Sequence, residues 1–117
     1  MKVAFLHLLT YCLSLLLLGH LLERHQRVRA LLAQLCEKFP LAFRPRQAPP
    51  PWPALKIGID RDILERIPVS RRLLKAALRY HTSCPSYRAG LIAGAVRVDL
   101  DGVPAGEVTK EHTFEAP

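Results

Sequence analysis

The strongest constraint on this chain lies in residues 69–108, VSRRLLKAALRYHTSCPSYRAGLIAGAVRVDLDGVPAGEV, where a helical period of apolar residues passes into a strand period with no linker between. Ser70 is placed to N-cap a helix by accepting a backbone N–H, with Val69 and Leu74 as the two halves of a hydrophobic staple. At about 100° per residue, Arg71, Arg72, Lys75 and Arg79 share one arc of that helix, and Leu73, Leu74, Ala77, Leu78 and His81 share the other. Cys84-Pro85-Ser86 should open a second helix, because proline suits a first turn, and Gly94 should close it at C′. Val96, Val98 and Leu100 then alternate with Arg97, Asp99 and Asp101, which predicts a strand with its valines inward. Asp101-Gly102 is a strong turn signal, and residues 103–108 are its return strand. Helices followed by a hairpin make the chain α+β, mostly helical.

The preceding segments are expected to supply the rest of one core. Val28, Leu31, Leu32, Leu35 and Phe39 recur at helical spacing, so residues 23–39 read as an amphipathic helix ending at Pro40. Residues 43–53, FRPRQAPPPWP, should run extended, since each proline fixes its own φ and biases its predecessor away from the helix. Trp52 is expected to pin this connector to the core. Residues 55–59 read as a strand or extended segment, and Asp60 as the cap of a short helix that buries Ile63, Leu64 and Ile67 before Pro68.

Residues 3–22 carry no charge and are long enough to span a bilayer, although His7, Thr10, Ser14, Gly19 and His20 dilute them. A signal anchor, an upstream start that the working protein lacks, and a helix packed on the domain or on a partner are three competing readings. If the segment inserts, Arg24, Arg27 and Arg29 would hold the following domain in the cytoplasm. The expected organisation is an apolar segment 1–22, a domain 23–112 and a short tail 113–117.

Charge narrows the class of partner. The formal net charge of the 117 residues is +7, yet residues 54–97 carry nine basic and three acidic side chains while residues 98–117 carry one and five. No acid lies between Glu65 and Asp99, so nothing nearby in sequence neutralises the basic helix face, and a polyanion is the expected partner. The first N–H groups of the helix opening at Cys84, beside the hydroxyls of Thr82 and Ser83, could hold a phosphate or a terminal ribose. Cys12, Cys36 and Cys84 show no paired spacing, which argues against a disulfide framework and a zinc knuckle. His81 with Cys84 is too little for zinc, His81 is expected to pack in the core, and Asp99, Asp101 and Glu107 read as turn chemistry rather than as a metal site. No catalytic constellation, cofactor or metal is expected.

The segments Leu55-Lys56-Ile57-Gly58-Ile59, RRLLKAALRYHTS from Arg71, Tyr87, Gly90, and GAVRVDLDG from Gly94 followed by Pro104-Ala105-Gly106-Glu107 closely resemble the ProQ/FinO domain family of bacterial RNA chaperones. The resemblance runs from about Gln26 to His112. It implies a compact domain of about four or five helices with a C-terminal β-hairpin, here preceded by an apolar N-terminal helix. It also implies a monomer in the cytoplasm that binds RNA without catalysis: the base of a stem-loop with a single-stranded 3′ tail, as in small RNAs and mRNA 3′ ends, in post-transcriptional regulation.

Carried over by position, the resemblance places Lys56, Arg71, Lys75 and Arg79 on the RNA-binding face, with Arg72 beside them on the same arc. It makes Tyr87 and Arg97 functional, Tyr87 near the RNA 3′ end. His81 and Arg88 depart from residues common in relatives, and Arg88 could add a phosphate contact. Two other classes stay open on the residues alone. One is a membrane-anchored adaptor, held at the inner membrane through residues 3–22, whose basic face meets anionic lipid or a protein; the other is a helix-turn-helix DNA binder.

Overall fold

The computed structural model describes residues 23–113. The expectations for residues 1–22 and for the end of the tail therefore lie outside the described residues, and among the described residues no helix is long and apolar enough to cross a membrane. Helix α1 covers residues 23–38 and turns Val28, Leu31 and Leu35 inward, with Phe39 buried just after it. This is the apolar stripe read from the spacing. After the proline-rich linker come β1 (Ala54–Leu55), α2 (Ile59–Arg66), α3 (Arg71–Ser83), α4 (Pro85–Arg88), β2 (Val96–Val98), β3 (Pro104–Glu107) and a 3-10 turn at Lys110–His112.

Helix α3 forms as its residues dictate. Ser70 Oγ accepts the Leu73 N–H at 3.1 Å, and Leu74, Ala77 and His81 are buried while the arginines face out. Helix α2 starts earlier than expected. The cap position is Gly58, at φ 86°, and Asp60 lies in the first turn. A tight turn in which Ile59 N–H donates to Lys56 C=O forces a left-handed residue at position 58, and only glycine adopts it freely. Asp60 and Asp62 still favour that helix end electrostatically.

Helix α4 is a correction to the expected length. It is four residues long and ends before Gly90, not at Gly94. A Cβ at Gly90 would collide with the Trp52 carbonyl, so the chain meets the linker backbone there and turns away. Gly94 does have a positive φ of 85°, but it serves the turn that leads into the sheet, where its N–H donates to Val108 C=O at 2.9 Å.

The hairpin is present, and Asp99 shapes it by accepting the N–H groups of Asp101 and Val103, each at 2.9 Å. Two features were not expected. β1 adds a third strand, parallel to β2, with Ala54 opposite Arg97 and Leu55 opposite Val98. The inward and outward sides of β2 are also exchanged at its start: Val96 is exposed and Arg97 is buried. Val96 pairs with Glu107 but Val98 with Pro104, so one extra residue bulges the return strand. Arg97 is held inside by β1, where the Leu55 carbonyl accepts its guanidinium.

One core joins these elements, with Leu35, Phe43, Ile63 and Leu74 among its fully buried side chains. Each contributes about 2 kcal/mol by leaving water. At its centre His81 stacks on Trp52 with ring centroids 5.0 Å apart and meets Phe43 and Tyr87 at 5.1 and 5.5 Å. Trp52 is fixed twice more, its backbone N–H on Ser86 C=O and its indole N–H on Ala48 C=O. The linker is thus bolted to α4, as its tryptophan suggested.

Candidate nucleic-acid interface

The outer face of α3 presents Arg71, Arg72, Lys75 and Arg79 to solvent. Among the described residues none of the four meets a carboxylate: the ion pairs present are Lys56–Asp62 at 2.9 Å and Arg66–Asp101 at 2.8 Å. A helix face with four unneutralised cations can hold phosphates at successive turns. Beside this face lies a cleft of about 560 Å³ lined by Arg24, Arg27 and Arg72, with Glu23 as the one acid on its wall among the described residues.

A second group of the expected residues converges on the short strand β1. Arg97, 8% exposed, donates from Nη1 to Leu55 C=O at 2.7 Å, while the Tyr87 hydroxyl accepts the Leu55 N–H at 3.3 Å. Lys56 follows directly, its N–H on Val98 C=O and its ammonium on Asp62. That hydrogen bond, then the Asp62 charge, raises the Lys56 pKa above its ordinary value and keeps it cationic. Tyr87 and Arg97 thus set the strand from which Lys56 projects. Arg97 Nε is buried with no partner, so this guanidinium retains unspent donor capacity beside the sheet.

At the α3–α4 junction the hydroxyls of Thr82 and Ser83 donate back to the carbonyls of Arg79 and Tyr80 at 3.3 and 2.9 Å. Their lone pairs stay available. Arg88 is half-buried and already engaged by another group. The structure therefore separates the ten expected residues: Arg71, Arg72, Lys75 and Arg79 form an open face, Lys56, Tyr87 and Arg97 form a hydrogen-bonded cluster at β1, and Thr82, Ser83 and Arg88 flank α4.

His81 is 3% exposed and its Nε2 has no partner. Burial drives its pKa down to about 4, so it is a neutral packing residue at physiological pH, as its place on the apolar arc implied. Sequence reasoning missed a different constellation, in which Arg46 of the linker donates to the Tyr80 hydroxyl at 2.8 Å across 34 positions. No local signal could have found it.

A model of the ProQ/FINO family matches residues 25–117. Proteins named RNA chaperone ProQ are similar: that of Shewanella amazonensis is 45% identical over 98 residues, which is 80% of this chain and 43% of that protein. The one from Aeromonas salmonicida is 43% identical over 98 residues, covering 80% and 45%. The chain thus spans less than half the length of these curated relatives. Among solved structures, a FinO-like RNA chaperone from Neisseria meningitidis aligns with TM-score 0.63 at 25% identity, over 76% of this chain and 70% of that one. The solution structure of a ProQ homolog from Legionella pneumophila aligns with TM-score 0.53 at 35% identity, over 69% and 70%. Both share the mostly helical architecture with its small sheet. On the match of fold, family model and sequence, the chain belongs to the ProQ/FINO family.

Proposed function

We propose that this domain is a non-catalytic RNA-binding module of an RNA chaperone, acting in the cytoplasm on structured RNAs in post-transcriptional regulation. The observation that carries the reading is the α3 face, where Arg71, Arg72, Lys75 and Arg79 are exposed and meet no acid among the described residues. The names of the relatives, RNA chaperone ProQ and FinO-like RNA chaperone, support RNA as the polyanion.

In this reading the target is a stem-loop with a single-stranded 3′ tail. A-form duplex offers proteins its phosphates and 2′-hydroxyls rather than its base edges, which suits a row of cations on a rigid helix. Lys75 and Arg79 hold duplex phosphates, and Arg71 and Arg72 extend the track. Lys56, set by Tyr87 and Arg97 through Leu55, lies at the far border. The unpaired end is received near Tyr87 at the α3–α4 junction, where Thr82 and Ser83 offer hydroxyl oxygens and Arg88 stands beside them. The domain acts as a monomer on one RNA end.

The test is binding of the full chain to a hairpin with a U-rich tail, ended by a 3′-hydroxyl or a 3′-phosphate, against duplex DNA of matching sequence. Preference for the RNA, weakened by the blocked end and by Tyr87→Phe, is the expected result. Equal binding to every probe would reduce the face to an unspecific polyanion surface.

A further inference from the structure

A second cationic surface, sharing none of Arg71, Arg72, Lys75 or Arg79, lies between α1 and the proline-rich linker. It is a groove of about 520 Å³ whose apolar floor includes Leu32 and Cys36, with Tyr80 on the α3 side and Arg29, Arg44 and Arg46 around the rim. Among the described residues no carboxylate lines it. The Arg46 guanidinium is held in place by donating to the Tyr80 hydroxyl at 2.8 Å, and its central carbon lies 5.8 Å from the centre of the Tyr80 ring. Arg44 is braced by a 3.0 Å hydrogen bond to Pro40 C=O, which uses one of its five N–H donors.

We infer that this groove takes an unpaired nucleotide, with the base on the Arg46–Tyr80 platform and its flanking phosphates on Arg29 and Arg44. The inference rests on the RNA-binding reading and adds to it a second contact for single-stranded RNA. Three observations support the occupant. The rim is all positive and the floor apolar, so the ligand must carry negative charge at its edges and a flat apolar body at its centre. The volume suits a ligand of one or two rings, and a helix face would need a longer trough. A guanidinium already restrained by a hydrogen bond and a ring offers a stacking plane at low entropic cost, and every base has a face to stack on it. Recognition here is therefore tolerant of sequence. It would let the domain hold a stem on α3 and a nearby unpaired strand in the groove at once, as annealing two RNAs requires.

The test uses the full chain with two RNAs, a blunt hairpin and the same hairpin carrying single-stranded flanks on both sides. The groove variant is Arg29→Glu with Arg46→Glu, both exposed positions, and the face variant is Lys75→Glu with Arg79→Glu. The groove variant should bind the flanked RNA about tenfold more weakly and the blunt RNA within about twofold of wild type. In the wild-type protein, 4-thiouridine in a flank should photo-crosslink to the peptide that contains Tyr80. That readout does not depend on any variant folding. Unchanged flanked-RNA binding by the groove variant, with binding lost in the face variant, overturns the groove and leaves the RNA reading standing. No RNA preference in any protein overturns both. Loss of a labelled acidic peptide of alternating Glu and Phe, with RNA binding intact, would assign the groove to a protein partner instead.

Discussion

On the side of the fold built by α2 and the hairpin, Lys56 meets Asp62 at 2.9 Å and Arg66 grips both oxygens of Asp101 at 2.9 and 2.8 Å. On α3, Arg71, Arg72, Lys75 and Arg79 meet no acid among the described residues. Both regions carry cations, but one spends them on tying elements together and the other leaves them to solvent. Counting basic side chains alone would weight them equally, with Lys56, Arg61, Arg66 and Arg97 on one side and Arg71, Arg72, Lys75 and Arg79 on the other. The distribution of carboxylates decides which cations are free for a partner: Asp62 sits on α2 and Asp101 in the hairpin turn, and α3 has none.

The contrast can be broken most strongly at its unpaired end. Lys75→Glu with Arg79→Glu should weaken binding to a tailed RNA hairpin by about 100-fold or more and flatten the salt dependence of affinity, while the melting temperature stays near wild type. A matching fall in melting temperature would mean that the face supports the fold. The next largest effect belongs to a cation the fold has taken inside. Arg97→Met should cost about 2.5 kcal/mol, read by denaturant unfolding, because the Leu55 carbonyl loses a charged donor in a buried place. Arg97→Lys should recover only part of it, since an ammonium lacks the planar reach of the guanidinium.

A third cation exists only in acid. His81 has a folded pKa near 4 against an ordinary 6.5, so between these values the unfolded chain binds the proton and the folded one does not. Stability is full above about pH 6.5 and falls as the pH drops toward 4, by about 2 kcal/mol on reaching pH 5. Unfolding midpoints measured across that range check it, and His81→Phe should remove most of the slope. The smallest effect is expected at the exposed pair. Asp101→Asn should lower the melting temperature slightly and leave RNA affinity unchanged, because Arg66 and Asp101 are both largely in water. A clear change in RNA binding there would extend the interface onto the hairpin.

Much of this organisation was legible because its causes are local. Ser70, the staple and the 3.6-residue spacing specify α3, and the absence of acids from residue 66 to residue 98 marks its face as unneutralised. Asp101-Gly102 specifies its turn in the same way. What escaped depends on contacts distant in sequence. β1 is two residues long and is a strand only because β2 lies beside it, 42 positions on at the Arg97–Leu55 hydrogen bond. Alternation alone puts Arg97 outside, because its buried acceptor, the Leu55 carbonyl, lies on a strand 42 positions away. Spacing alone points to Gly94 as the end of α4, and Gly94 has the positive φ of a closing glycine. The residue that stops the helix is Gly90, whose role comes from the Trp52 backbone pressed against it. The Tyr80 groove joins linker, α1 and α3, and no single segment hints at it.

Trp52 is the only tryptophan in the chain, and it is stacked on the histidine that responds to acid while also lining the groove beside Tyr80. The protein therefore carries its own optical reporter. Excited at the red edge of the indole band, Trp52 emission should register unfolding, protonation of His81 as a quenching step, and occupancy of the groove as a change in intensity, with no dye attached and no residue replaced.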